Sequence, residues 1–231
     1  MRTSLACLAA ALSAVVASQG VARAHFKLVA PESMITQSTL GDPQKGAPCG
    51  PNGAVTPNGM LTVAKPGSML TVSIQETITH PGHYRVALAP NVAGLPDAPV
   101  VTPVGGDQCG STTIDPNPTL PVLADGIFAH TSAFPAGSVQ TVQVQLPQTE
   151  CNNCVLQVIQ YMKNHGAPCF YYHCAAITIS NDAPDAGPTG GDAGLDPGTD
   201  PAGGCCGTGG APSSLALAAL LGAVVLRKRR R

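Results

Sequence analysis

The chain has no tryptophan, and only four phenylalanines and four tyrosines among its 231 residues. So few rings cannot tile a flat stacking face, which removes an aromatic platform from the reading. Charge is scarce too, with Asp, Glu, Lys and Arg making up 11% of the chain. Between residues 25 and 180 the basic residues Lys27, Lys45, Lys65, Arg85 and Lys163 stand singly among Glu32, Asp42, Glu76, Asp97, Asp107, Asp115, Asp125 and Glu150. Without a basic patch, nucleic acid is excluded as a partner. No long segment carries apolar residues at helical spacing, so crossover helices for a parallel α/β sheet are missing as well.

The two ends are strongly patterned. Arg2, the apolar run from Leu5 to Ala17 and the small residues of Ala22-Arg23-Ala24 read as a signal peptide over 1–24, removed on export. His25 then becomes the first residue of the mature chain, with a free α-amine beside its imidazole. At the other end, "DAPDAGPTGGDAGLDPGTDPAGG" has almost no large apolar residue. It cannot bury enough surface to fold, so 181–204 reads as a linker, spanning roughly 25–30 Å as a coil. Residues 205–231 hold the pair Cys205-Cys206, an apolar run and the terminal "RKRRR". This tail resembles the MYXO-CTERM sorting segment of myxobacterial surface proteins. The resemblance implies a sorting protease acting near the cysteine pair, contact with the membrane through the tail, and display at the cell surface or outer membrane, with release from it as the alternative.

Residues 25–180 are long enough for one domain with its own core. Its six cysteines, Cys49, Cys109, Cys151, Cys154, Cys169 and Cys174, form an even set in an exported chain and read as three disulfides whose pairing spacing alone leaves open. The Cys151-x-x-Cys154 spacing has no second CxxC and no βαβ context to make it a zinc or redox motif. In "SVQTVQVQL", Val142, Val144 and Leu146 share one face of a strand, and "SMLTVSIQETI", "HYRVALA", "NCVLQVIQYM" and "HCAAITIS" are further β-rich runs bounded by turn residues. The fold class expected is all-β: an immunoglobulin-like antiparallel β-sandwich stapled by disulfides.

The chemistry rests with the histidines. After cleavage His25 offers two nitrogen donors, and one further imidazole would complete a planar three-nitrogen set of the kind Cu(II) prefers. "ETITHPGHYRVAL" supplies His80 and His83 on either side of Pro81-Gly82. Its Thr-x-His-x-Gly-x-Tyr-x-Val pattern resembles the second-histidine segment of lytic polysaccharide monooxygenases, especially the insect and oomycete type. "CNNCVLQVIQYMKNHGAPCFYYHCAAITI" is similar to the family's Cys-x-x-Cys-x-Leu-Gln-x-x-x-Tyr strand, its Asn-x-Gly loop and its final aromatic strand.

The resemblance implies one copper ion per chain held by a histidine brace of His25 and His80, with His83 as a neighbour and Tyr171 axial beside the metal. The catalytic set it implies is His25, His80 and Tyr171, acting on a polysaccharide such as chitin or cellulose with an external electron donor. The sequence departs from the family where Val158-Ile159-Gln160 replaces a strand that commonly carries Trp. The short loop from His165 to Tyr171 also leaves the family's buried Gln or Glu without a clear counterpart. His130, His165 and His173 are expected to be surface or hydrogen-bonded side chains. A copper-holding surface protein built on the same brace, and a metal-free glycan-binding module, are the alternatives that the sequence leaves open.

Overall fold

The computed structural model describes residues 24–53 and 56–184; the leader, most of the linker and the C-terminal tail lie outside the described residues. Ten strands follow one another: β1 (His25–Ala30), β2 (Thr62–Ala64), β3 (Met69–Ile78), β4 (Gly82–Ala89), β5 (Val101–Val104), β6 (Asp107–Thr112), β7 (Val122–His130), β8 (Gln140–Gln145), β9 (Cys151–Met162) and β10 (Phe170–Ile179). They form a three-stranded sheet, β1-β3-β8, a five-stranded sheet, β2-β10-β9-β4-β7, and the β5-β6 hairpin. Every pairing is antiparallel except that of the short edge strand β2, which runs parallel to β10. Among the described residues no helix is long and apolar enough to cross a membrane.

The period-2 pattern explains the packing. On β8, Val142 and Val144 turn inward as their alternation with glutamines requires, and Leu146 just beyond is buried with them. Leu70, Val72 and Ile74 of β3, Phe26 and Leu28 of β1, and Tyr84, Val86 and Leu88 of β4 join Leu156, Val158, Ala175 and Ile177 in one core between the sheets. The larger sheet is buried on its outer face too. Ile159, Tyr161, Phe170 and Tyr172 pack there with Cys109 and Val101 of the hairpin, while Met34 and Ile35 cover Val155 and Cys174. That second cover is why β9 is buried from Cys154 to Met162 rather than on alternate residues.

Three disulfides fix these layers: Cys49–Cys174, Cys109–Cys169 and Cys151–Cys154. The first two close loops of 125 and 60 residues, each restricting the unfolded chain by on the order of 4 kcal/mol in the chain-entropy model. Cys151–Cys154 closes only three residues at the start of β9 and restricts it least.

His173 illustrates the cost of a polar group in this core. It is fully buried, lies 4.7 Å from the Phe26 ring centroid, and its Nε2 donates to the Phe26 carbonyl at 3.1 Å. Burial pushes its pKa down from 6.5 to about 4, against the smaller pull of that carbonyl. The unfolded chain therefore binds a proton between those values that the folded chain refuses. The stability present above pH 6.5 is lost as pH falls toward 4, by about 3 kcal/mol. Urea unfolding of the wild type at pH 7 and pH 4.5 should show this slope, and His173→Gln should flatten it. Equal pH dependence in the two proteins would refute the assignment.

Candidate functional site

His25 opens β1 opposite Ile78 of β3, and the next pair, Phe26–Glu76, is offset by a bulge. The segment after β1 folds back over it. Gly41 adopts φ +99°, and a Cβ there would collide with the Phe26 carbonyl oxygen, so only glycine lets the chain pass this close. Gln44, fully buried, then accepts from Phe26 N at 3.1 Å, and its own carbonyl accepts from Tyr172 N at 2.7 Å. This path delivers Asp42 to His25, whose Nε2 lies 3.2 Å from Asp42 Oδ2.

His80 follows β3 by two residues and is 7% exposed, with Nδ1 3.4 Å from the Pro81 carbonyl, at the long end for a hydrogen bond. Burial lowers its pKa and favours the neutral imidazole. Gly82 then presses against β9, where a Cβ would overlap the Tyr161 carbonyl. His83 and Tyr84 consequently face opposite ways. Tyr84 enters the inter-sheet core, whereas the His83 ring lies 5.0 Å from Tyr161 in the outer-face cluster.

Tyr171 and His165 connect the two histidines. The ring centroids run from His25 to Tyr171 at 5.6 Å, from Tyr171 to His165 at 6.3 Å, and from His165 to His80 at 4.9 Å. The Lys45 ammonium sits 6.0 Å over the Tyr171 ring, at the limit of a cation–π contact. The loop carrying His165 is anchored by Cys109–Cys169, by Asn164 N donating to Asp107 Oδ2 at 2.8 Å and by Ala167 N donating to Gln108 Oε1 at 2.9 Å. His25, His80 and Tyr171 thus fall in one run of ring contacts. His165, expected to be a routine hydrogen-bonded histidine, stands in the middle of it.

Beside this run lies a buried polar network that the motifs do not reveal. Glu76, its side chain 2% exposed, accepts at Oε1 from Tyr84 OH at 2.7 Å and from Gln160 Nε2 at 2.9 Å. His130 Nε2 is 3.2 Å from the same oxygen, an ion-pair distance off the line of a hydrogen bond, while its Nδ1 donates to the Phe128 carbonyl at 2.8 Å. Burial works against a charge on His130, but the Glu76 carboxylate and the Phe128 carbonyl outweigh it and hold the pKa above 6.5. Gln160 pairs across the sheet with both Tyr84 and Tyr171. The network therefore links the strand leading to His80 with strands beside Tyr171. A signal for it exists in the sequence. Glu76 continues the inward series Leu70, Val72, Ile74, and Gln160 interrupts the inward series Leu156, Val158, Met162. A buried Glu and Gln are thus present next to the site, supplied by β3 and β9 rather than by the loop before Tyr171.

The donor chemistry fits a copper ion. Asp42 lies against Nε2 of His25, and the Pro81 carbonyl faces Nδ1 of His80, so each imidazole has an oxygen beside one of its nitrogens. Fixing the distal nitrogen with an oxygen acceptor is how ligating imidazoles are commonly oriented. Among the described residues no group of three or more His, Cys, Asp or Glu side chains is gathered for a metal. A site here requires a donor beyond side chains, and the α-amine of a chain beginning at His25 is one.

No protein-family model and no curated protein sequence matches the chain. Similar solved structures include the lytic polysaccharide monooxygenase AA15 from Thermobia domestica in the Cu(I) state, at 23% identity and TM-score 0.33 over 52% of this chain. The match covers 62% of that protein, less than two thirds of its length. A chitin binding domain from Burkholderia pseudomallei matches at 11% identity and TM-score 0.39, over 68% of this chain and 100% of that one. Neither match assigns a metal or a substrate.

Proposed function

We propose that the mature chain begins at His25 and is a copper-dependent enzyme that oxidatively cleaves a neutral polysaccharide. The observation that carries this reading is the run of rings from His25 through Tyr171 and His165 to His80, with Asp42 on the distal nitrogen of His25. The amine and imidazole of His25 and the imidazole of His80 would hold the metal, Tyr171 would stand beside it, and Asp42 would keep the His25 ring from rotating. The chemistry copper supplies when bound is one-electron activation of dioxygen or peroxide, directed at a sugar C–H bond at C1 or C4. The Glu76 network keeps water from the inner side of the site by filling it with bonded side chains.

A copper carrier using the same brace would draw on soft ligands for Cu(I), of which thiolate is the strongest. All six cysteines of the domain are in disulfides, which favours the enzyme. Export by the leader and display on the linker and tail suit attack on an insoluble polymer. The test is to incubate copper-loaded protein beginning at His25 with chitin, cellulose or a wall glycan and a reductant, and to search the products by mass spectrometry. Oxidised oligosaccharides from at least one polymer are expected, and absent from the His80→Ala variant. Copper transfer to an acceptor protein with no oxidised sugar from any polymer would replace the enzyme with the carrier.

A further inference from the structure

We infer that the end of the sandwich opposite His80 is a self-pairing surface, on which a second copy of this chain docks its Leu120. His80 lies just before β4, and this surface lies at the strand's other end, around Leu88, Ala89 and Pro90. The eight residues of β4, roughly 25 Å of extended chain, keep it apart from the run of rings.

Leu120 is the knob. It is 59% exposed and lines two neighbouring clefts, which share it and Pro147. One cleft, about 360 Å³, is walled by Leu88, Ala89, Pro90, Pro147 and the Cys151–Cys154 bridge. The other, about 340 Å³, is walled by Pro118, Leu123, Leu146 and Pro147, with the Gln145 and Gln148 side chains also in its lining.

A single exposed leucine is ordinary, but this one is held out by the backbone. The Thr119 carbonyl accepts from Val122 N at 2.9 Å, closing a turn with Leu120 and Pro121 at its centre. The Pro121 carbonyl accepts from Leu88 N at 2.8 Å and ties that turn to β4. Pro90, Pro118, Pro121 and Pro147 stiffen the surrounding walls. Knob and clefts fixed before contact lose little freedom on docking, so the apolar contact counts toward affinity.

A second copy fits because knob and cleft belong to one patch. Two copies related by a two-fold axis each insert Leu120 beside Pro90 of the other, and the contact is made twice. Charge does not oppose it. Among the described residues Glu150 is the one charged side chain lining either cleft, and its Oε1 accepts from Asn181 N at 2.8 Å. That bond also sets the last described residues, 181–184, beside the cleft. Tethering through the segment that follows would gather these ends in one layer, which favours pairing between copies.

The experiment is sedimentation equilibrium of the metal-free chain beginning at His25, at micromolar concentration. A dimer is expected, and a monomeric wild type overturns the inference. Leu120→Glu should weaken pairing about a hundredfold, because each dimer loses two apolar insertions. Pro90→Lys, at an exposed position, should weaken it from the receiving wall. Leu120→Met keeps the bulk and should pair like the wild type. Circular dichroism of each variant separates lost pairing from lost fold. An equimolar mixture of Leu120→Glu and Pro90→Lys should dimerise again. In the mixed pair the introduced carboxylate faces the introduced ammonium at one contact, and the native leucine meets the native cleft at the other. A mixture that stays monomeric, or a dimer that survives Leu120→Glu, would place the contact elsewhere and overturn the self-pairing surface.

Discussion

Protein beginning at His25 is expected to bind one equivalent of Cu(II), and a single extra residue before His25 is expected to weaken that binding at least a hundredfold. An amide nitrogen replaces the amine in the extended chain, and an amide keeps its proton at neutral pH where an amine yields it to a metal. No three metal-binding side chains stand ready among the described residues, so the lost amine has no substitute. His80→Ala should abolish the axial copper signal in electron paramagnetic resonance. His83→Ala should leave it unchanged, because the His83 ring packs against Tyr161 on the outer face of the sheet. Tyr171→Phe should keep the metal and move only the spectrum. Isothermal titration of the two N-terminal forms provides the first check. Equal affinities would show that His25 binds, if at all, through its ring alone.

Removing the buried carboxylate at position 76 is expected to cost about 3 kcal/mol or more in the metal-free protein. Glu76→Ala leaves the Tyr84 hydroxyl and the Gln160 amide without their common acceptor and removes the carboxylate beside His130. The sign of the accompanying pKa change is fixed by the causes acting on His130. With the carboxylate present its pKa stands above 6.5, and burial opposes the charge. Without Glu76, burial should dominate and carry the pKa below 6.5. In the wild type the raised pKa gives stability that is complete below 6.5 and lost as pH rises through the folded value. His173 has the opposite dependence, so the two histidines confine the stability maximum from either side. Denaturant unfolding and NMR titration of His130 read the two effects separately. Glu76→Gln, which retains a carbonyl acceptor, should recover part of the stability but not the raised pKa. A Glu76→Ala protein of wild-type stability would mean that the network carries no net energy.

Which strands form and which side chains they bury follow largely from the sequence. The alternation through Val142, Val144 and Leu146, and the β-branched run of β3, specify strands because a pleated chain turns successive side chains to opposite faces. The even cysteine count likewise required three bridges, but leaves their partners open. Cys49 meets Cys174 across 125 residues only once the segment after β1 has folded back, a closure that local spacing cannot encode. β1 itself and the second cover over β9 also depended on tertiary contacts. A six-residue strand such as His25–Ala30 has too little pattern to stand out, and β9 reads as half-buried until the hairpin packs on its other face.

The site divides along the same line. The signal-peptide pattern and donor chemistry singled out His25, while the resemblance of two motifs to a known family singled out His80 and Tyr171. The separation of His80 from His83 was decided by the direction in which β4 leaves Gly82, since two residues three apart across a turn differ only in the face each receives. Glu76, Gln160 and His165 became part of the site through non-local packing. Each lies on a different segment, and their convergence needed both sheets, the disulfide at Cys109 and the close passage of Gly41 over β1.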